Sequence, residues 1–74
     1  MDLEFLFKLA SSGGNGCPAF YRAGADFVVQ GYTLSAEETA QMRQVAADET
    51  GARIPAELYG QIGEHWAREN GLLP

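Results

Sequence analysis

One cysteine, Cys17, and one histidine, His65, stand in a chain of 74 residues. A single thiol excludes an internal disulfide framework. A single histidine leaves a zinc or iron site short of the three or four converging ligands it needs. Basic residues are sparse too: Lys8, Arg22, Arg43, Arg53 and Arg68 are never adjacent, and ten acids bring the formal charge to −5. Strong direct binding to DNA or RNA requires a basic stripe that displaces counterions, so no direct nucleic-acid contact is expected. Long apolar runs are missing as well. The opening apolar stretch ends by Ala10, and Asp2 and Glu4 stand where a secretion signal would carry positive charge. These features predict no membrane span, no leader and a reducing, cytoplasmic setting.

What is present is enough apolar material for a folded domain and too short a chain to hide it. Apolar residues make up 46% of the sequence and aromatics 11%, which argues against disorder. The length predicts a single domain over 1–74. A domain this small buries only about 60% of the surface its unfolded chain exposes. With no disulfide and no metal, self-association or a protein partner is the expected outlet for the surplus, most simply a twofold dimer.

Residues 1–10 alternate as a strand through Leu3, Phe5, Phe7 and Leu9, although Leu3, Leu6, Phe7 and Ala10 also form a helical stripe. The aromatic content favours the strand. Residues 11–16, Ser-Ser-Gly-Gly-Asn-Gly, read as a flexible connector. A phosphate-cradling loop is the rival reading, but it needs a preceding strand and a following helix, and Cys17-Pro18 with a strand follows instead. Pro18–Arg22 and Phe27–Leu34 form a hairpin around Ala23-Gly24-Ala25-Asp26, with Gly31 marking a bulge or a close backbone approach. Phe27, Val29 and Thr33 face one side of the second strand and Val28, Tyr32 and Leu34 the other, so both faces need cover.

Ser35-Ala-Glu-Glu38 has the spacing of a capping box and opens a helix expected to reach Thr50 and to stop at a left-handed Gly51. Its buried stripe would be Thr39, Met42, Val45 and Ala46, with Asp48 and Glu49 at the unfavourable negative end. Ala52-Arg53-Ile54 is extended before Pro55 and long enough to add a strand to the hairpin. Pro55 then takes the first position of a second helix, with Leu58, Ile62, His65, Trp66 and Glu69 at helical spacing, a Glu64–Arg68 pair and an Asn70-Gly71 stop. The predicted fold is α+β: a small hairpin extended to a three- or four-stranded antiparallel sheet, with two helices packed on one face.

No pattern in the chain carries chemistry. His65 and Glu69 lie one helical turn apart, yet a metal site built on them with Cys17 or Glu64 would need further ligands from scattered acids. Cys17 has no neighbouring cation or helix N-terminus to lower its pKa and reads as a small apolar side chain. The pairs Glu37/Glu38 and Asp48/Glu49 are adjacent on a helix, pointing apart as solvated helix ends. The aromatic set is large for so thin a core. Tyr32, Tyr59 and Trp66 are the candidates for a partner-facing patch, with Glu37 and Glu38 as its acidic complement. No catalytic residue, no cofactor and no metal are expected.

The segments Phe5-Leu-Phe-Lys8, Gly16-Cys-Pro-Ala19, Phe27-Val-Val-Gln-Gly-Tyr32 and Ile54-Pro55-Ala-Glu-Leu58 resemble a group of small uncharacterised actinobacterial proteins. In that group a "CP.LY" run leads into "YVVQG", a helix, and an Ile/Val-Pro segment before a final helix. It is often encoded beside helix-turn-helix regulators and is distantly similar to BldB-type domains. The resemblance implies an accessory regulator that acts by protein contact on a transcription factor of helix-turn-helix type. Two other readings stand beside it. One is an antitoxin-like or DNA-mimicking acidic inhibitor. The other is a small metal- or ligand-binding protein centred on Cys17 and His65.

Overall fold

Alternation and turn chemistry organise the first half of the chain. The computed structural model describes residues 2–14 and 16–74. Met1 of the first segment and Asn15 of the connector lie outside the described residues. The N-terminal segment is a strand, β1 (Glu4–Lys8), followed by β2 (Ala19–Ala23) and β3 (Asp26–Gln30). All three pair antiparallel in the order β1-β2-β3. The hairpin turn is tighter than expected: Ala23 pairs with Asp26, leaving Gly24 and Ala25 as the loop, and Gly24 takes φ +65°. A two-residue turn of this kind needs a left-handed residue, which glycine supplies without strain.

The long second strand expected over 27–34 divides at Gly31. Beyond it β4 (Tyr32–Thr33) leaves the first sheet and pairs with β5 (Ala52–Arg53) in a separate two-stranded sheet. The third strand of the main sheet is therefore β1, and the 52–54 segment extends β4 instead. Gly31 marks a close backbone approach. A Cβ there would lie 2.6 Å from the Arg53 carbonyl oxygen and 2.9 Å from Ile54 Cγ2.

The first helix, α1 (Ala36–Ala40), begins where the capping box places it but ends ten residues early. Ser35 accepts from the Glu38 amide at 3.1 Å, while the Glu38 carboxylate accepts from the Ser35 amide at 2.9 Å. The expected continuation to Thr50 fails for want of a buried face: Thr39, Val45 and Ala46 are exposed and Met42 only half-buried. A helix of this length is marginal without packing. Gln44 takes a left-handed φ of +47°, and Ala46 and Glu49 close a local turn. Gly51 is not left-handed. It is small because Met42 Sδ and Leu34 Cδ1 would lie 2.8 and 2.9 Å from a Cβ there.

The second helix, α2 (Ala56–Glu69), follows Pro55, which occupies the N-cap position rather than the first helical one. Asn70 and a left-handed Gly71 end it as the sequence requires. Of the two helices expected on one sheet face, α2 takes that place. Its Leu58 is fully buried, and with Leu9, Ala19, Phe20 and Ala23 it forms the apolar core among the described residues. The Gln61 side chain bridges to β1 and its exit, donating to the Lys8 carbonyl at 3.0 Å and accepting from the Ala10 amide at 2.9 Å. Glu57 accepts from both the Ser11 amide and hydroxyl. The α1 helix is tied elsewhere, to β5, through an ion pair between Glu38 and Arg53.

Candidate partner-binding groove

Register puts Phe7, Phe20, Arg22, Phe27 and Val29 on the sheet face that α2 covers, because directly opposed residues share a face. Phe20 and Phe27 stack with centroids 5.1 Å apart and planes 9° from parallel. His65 of α2 descends onto this cluster, its ring 5.7 Å from Phe7, 5.9 Å from Phe20 and 6.1 Å from Phe27. Arg22 lies over the Phe27 ring, 4.8 Å from its centroid, and reaches across to Glu69 at 3.1 Å. The same Glu69 oxygen stands 3.4 Å from His65 Nε2. One carboxylate thus holds the end of α2 to the middle strand of the sheet.

The helix does not close over the hairpin completely. Between it and the sheet an open groove of about 430 Å³ runs past Phe20, Phe27 and Ile62 to Trp66, with Arg22 and Glu69 at its polar end. Trp66 is 60% exposed although it borders this groove, and Tyr59, two helical turns before it, is 74% exposed. Residues seven apart share a stripe of an α-helix, so Tyr59 and Trp66 form one exposed aromatic ridge of α2, of which Trp66 lines the groove. An apolar slot with a charged rim and an aromatic lip is a shape that receives an apolar or aromatic side chain from another protein.

The five sequence-predicted contact residues fall into two groups. Tyr59 and Trp66 belong to the α2 ridge. Tyr32, also exposed, sits in β4 opposite Arg53, and Glu37 and Glu38 open α1. Glu38 has internal work. Arg53 donates to it through both Nε and Nη2, the Ser35 amide adds a third bond, and these hold its pKa down from the ordinary 4.5 to about 2. Phe27, Arg22 and Glu69 complete the groove and were not among the contact residues expected from the sequence. Their only local signal is an aromatic directly after a tight turn. The pairing of residues 22 and 69 across the chain has none.

Cys17 and His65 have separate surroundings. The thiol donates to the Gly14 carbonyl at 2.8 Å and is hydrogen-bonded to the Ser12 hydroxyl, whereas His65 is packed among phenylalanines. Among the described residues no three His, Cys, Asp or Glu side chains converge. Also among them, no helix is long and apolar enough to cross a membrane. Comparison with family models, with curated proteins and with solved structures finds no match.

Proposed function

We propose that the protein is a non-catalytic interaction module, an accessory regulator that docks a transcription factor, most specifically one of helix-turn-helix type, in the cytoplasm. The observation that carries the reading is the exposed Trp66 at the lip of an open apolar groove, with the exposed Tyr59 on the same stripe of α2. Aromatic anchors beside a pocket are where binding energy concentrates in protein interfaces. The resemblance to proteins encoded beside helix-turn-helix regulators supports the choice of partner. The mechanism is occlusion or recruitment: the groove takes an apolar side chain of the partner, and Arg22 and Glu69 orient polar groups at its rim.

The test is co-purification of the tagged protein from its native cells, followed by titration of the captured factor against the isolated module. Trp66→Ala should weaken binding by at least about 30-fold, the equivalent of a hot-spot loss of about 2 kcal/mol. Undiminished binding would refute the groove as the docking site. The acidic-inhibitor reading rests on the charge of −5. It requires affinity that collapses with added salt, whereas docking through the aromatic ridge tolerates salt.

A further inference from the structure

The free edge of the main sheet carries an inference of its own, argued from backbone register, although Phe27 of that edge also lines the groove. We propose that β3 pairs antiparallel with β3 of a second copy, joining two three-stranded sheets into one six-stranded sheet about a twofold axis through Val28.

The two edges of the sheet are built differently. At the β1 edge the register slips between Phe5 and Phe7, a bulge that twists the strand and spoils it as a template. At the β3 edge the register with β2 runs unbroken from Asp26 to Gln30, with no proline or lysine to blunt it. All five β3 residues are exposed, among them Phe27 at 47%, Val28 at 38% and Val29 at 39%. An apolar, regular, unprotected edge is what native proteins avoid unless something pairs with it.

The turn decides which backbone groups the edge offers. With only Gly24 and Ala25 in the loop, Ala23 and Asp26 must be the pair that exchanges two hydrogen bonds. The alternation then directs Asp26, Val28 and Gln30 toward β2 and leaves the amides and carbonyls of Phe27 and Val29 pointing outward.

A twofold axis perpendicular to a continuous sheet preserves its faces, so each residue must oppose one of like parity. Centring on Val28 uses the whole strand. Val28 meets its own copy, Phe27 meets Val29, and Asp26 meets Gln30. The two Phe27–Val29 pairs satisfy every outward group of Phe27 and Val29, and no like charges face each other.

The exposed area of the single chain is large enough for such an interface. The chain exposes 5699 Å². A folded monomer of its 8.0 kDa should expose about 4,450 Å². Its radius of gyration is 13.9 Å, against about 11.3 Å for a compact domain of 74 residues. The excess of about 1,250 Å² is more than the roughly 800 Å² that each partner contributes to a standard stable interface.

The experiment combines mass with register-specific cross-linking. Light scattering should return twice the 8.0 kDa chain mass. In a Cys17→Ser background, Val28→Cys should form an interchain disulfide under mild oxidation. The two Cα atoms of a non-hydrogen-bonded antiparallel pair lie about 4.5 Å apart, within disulfide reach. Val29→Cys should not, because its copies stand about 8 Å apart across the same axis. Val29→Pro removes an outward amide at an edge position that tolerates proline, and should give a folded monomer by circular dichroism and scattering. A monomeric wild type, a dimer that survives Val29→Pro, or equal cross-linking at both positions would overturn the proposal. The first outcome would leave the edge to a strand of a different protein.

Discussion

The same substitution should have opposite signs at two glycines. At Gly31 an added Cβ meets the Arg53 carbonyl oxygen at 2.6 Å, Ile54 Cγ2 at 2.9 Å and Ala52 Cβ at 3.3 Å. A carbon normally stands about 3.3–3.6 Å from a carbonyl oxygen, so the backbone of β5 must retreat by roughly 0.7–1 Å. That movement separates Tyr32 from Arg53 and Thr33 from Ala52, the two pairs that join β4 to β5, and drags on the Arg53–Glu38 ion pair. Overpacking of this kind costs about 1–3 kcal/mol. In a domain of this size each kcal/mol moves Tm by about 4–8 °C. Gly31→Ala should therefore lower the thermal midpoint by roughly 10 °C. At Gly60, inside α2, an added Cβ meets nothing within 4 Å. There alanine gains about 0.5–1 kcal/mol from helix propensity and should raise the midpoint by a few degrees. Paired thermal melts followed at 222 nm provide the assay. Equal midpoints for Gly31→Ala and the wild type would show that the β4–β5 pair contributes nothing to the cooperative fold and would refute the reasoning.

Leu58→Ala removes the one large side chain that is fully buried among the described residues and should cost about 2–5 kcal/mol, read by urea titration. Ser35→Ala deletes the side-chain half of the capping box, at a cost of about 1 kcal/mol on the same assay. Glu38 has a folded-state pKa below its ordinary 4.5, so its contribution is fully present above that value and is lost as pH falls toward about 2. The wild type should melt above a Glu38→Gln variant at neutral pH, and the two should converge as pH falls from 4.5 through about 2; a gap as wide at pH 2 as at neutral pH would contradict the assignment. Trp66 is the only tryptophan and is 60% exposed, so its emission should be that of a solvated indole and shift to the blue when a partner fills the groove.

Local rules read well where one residue type has one use. Ser35 with Glu38, Gly24 in the turn, Pro55 before α2 and Asn70-Gly71 after it are each set by backbone groups within a few positions. The α+β class followed from these signals and from alternation. The extent of α1 did not, because a helical stripe predicts helix only where something covers it, and residues 41–50 find little beyond Leu34 and Gly51. The fate of strand 27–34 was equally hidden. A glycine in a strand announces a close approach but not which backbone approaches, and here that backbone is Arg53, more than twenty positions away. That Tyr59 and Trp66 share one exposed stripe of α2 was legible from their spacing of seven. The groove's floor and rim were not, since Arg22 and Glu69 meet only after the hairpin and α2 have docked.

The thin core, the open groove and the bare β3 edge have one physical origin. Fourteen residues of α2 cannot span both a three-stranded sheet and the β4–β5 arm, and α1 is too short to cover what remains. The sheet face away from α2 accordingly shows Phe5 and Val28 to solvent, while Tyr21 on that face bonds through its hydroxyl to Gln30. Lengthening α1 would cover more of this surface within one chain, yet the sequence instead places Asp48 and Glu49 where a longer helix would be destabilised at its C-terminal end. Apolar surface at about 25 cal/mol per Å² is too costly to leave wet over several hundred Å². The two proposals answer that exposure in different places: a second copy along the β3 edge and a regulatory partner in the groove beside Trp66. If both are right, Phe27, which lines the groove and lies in the β3 edge, belongs to both contacts, and the twofold assembly carries two copies of the groove for a partner that is itself twofold symmetric.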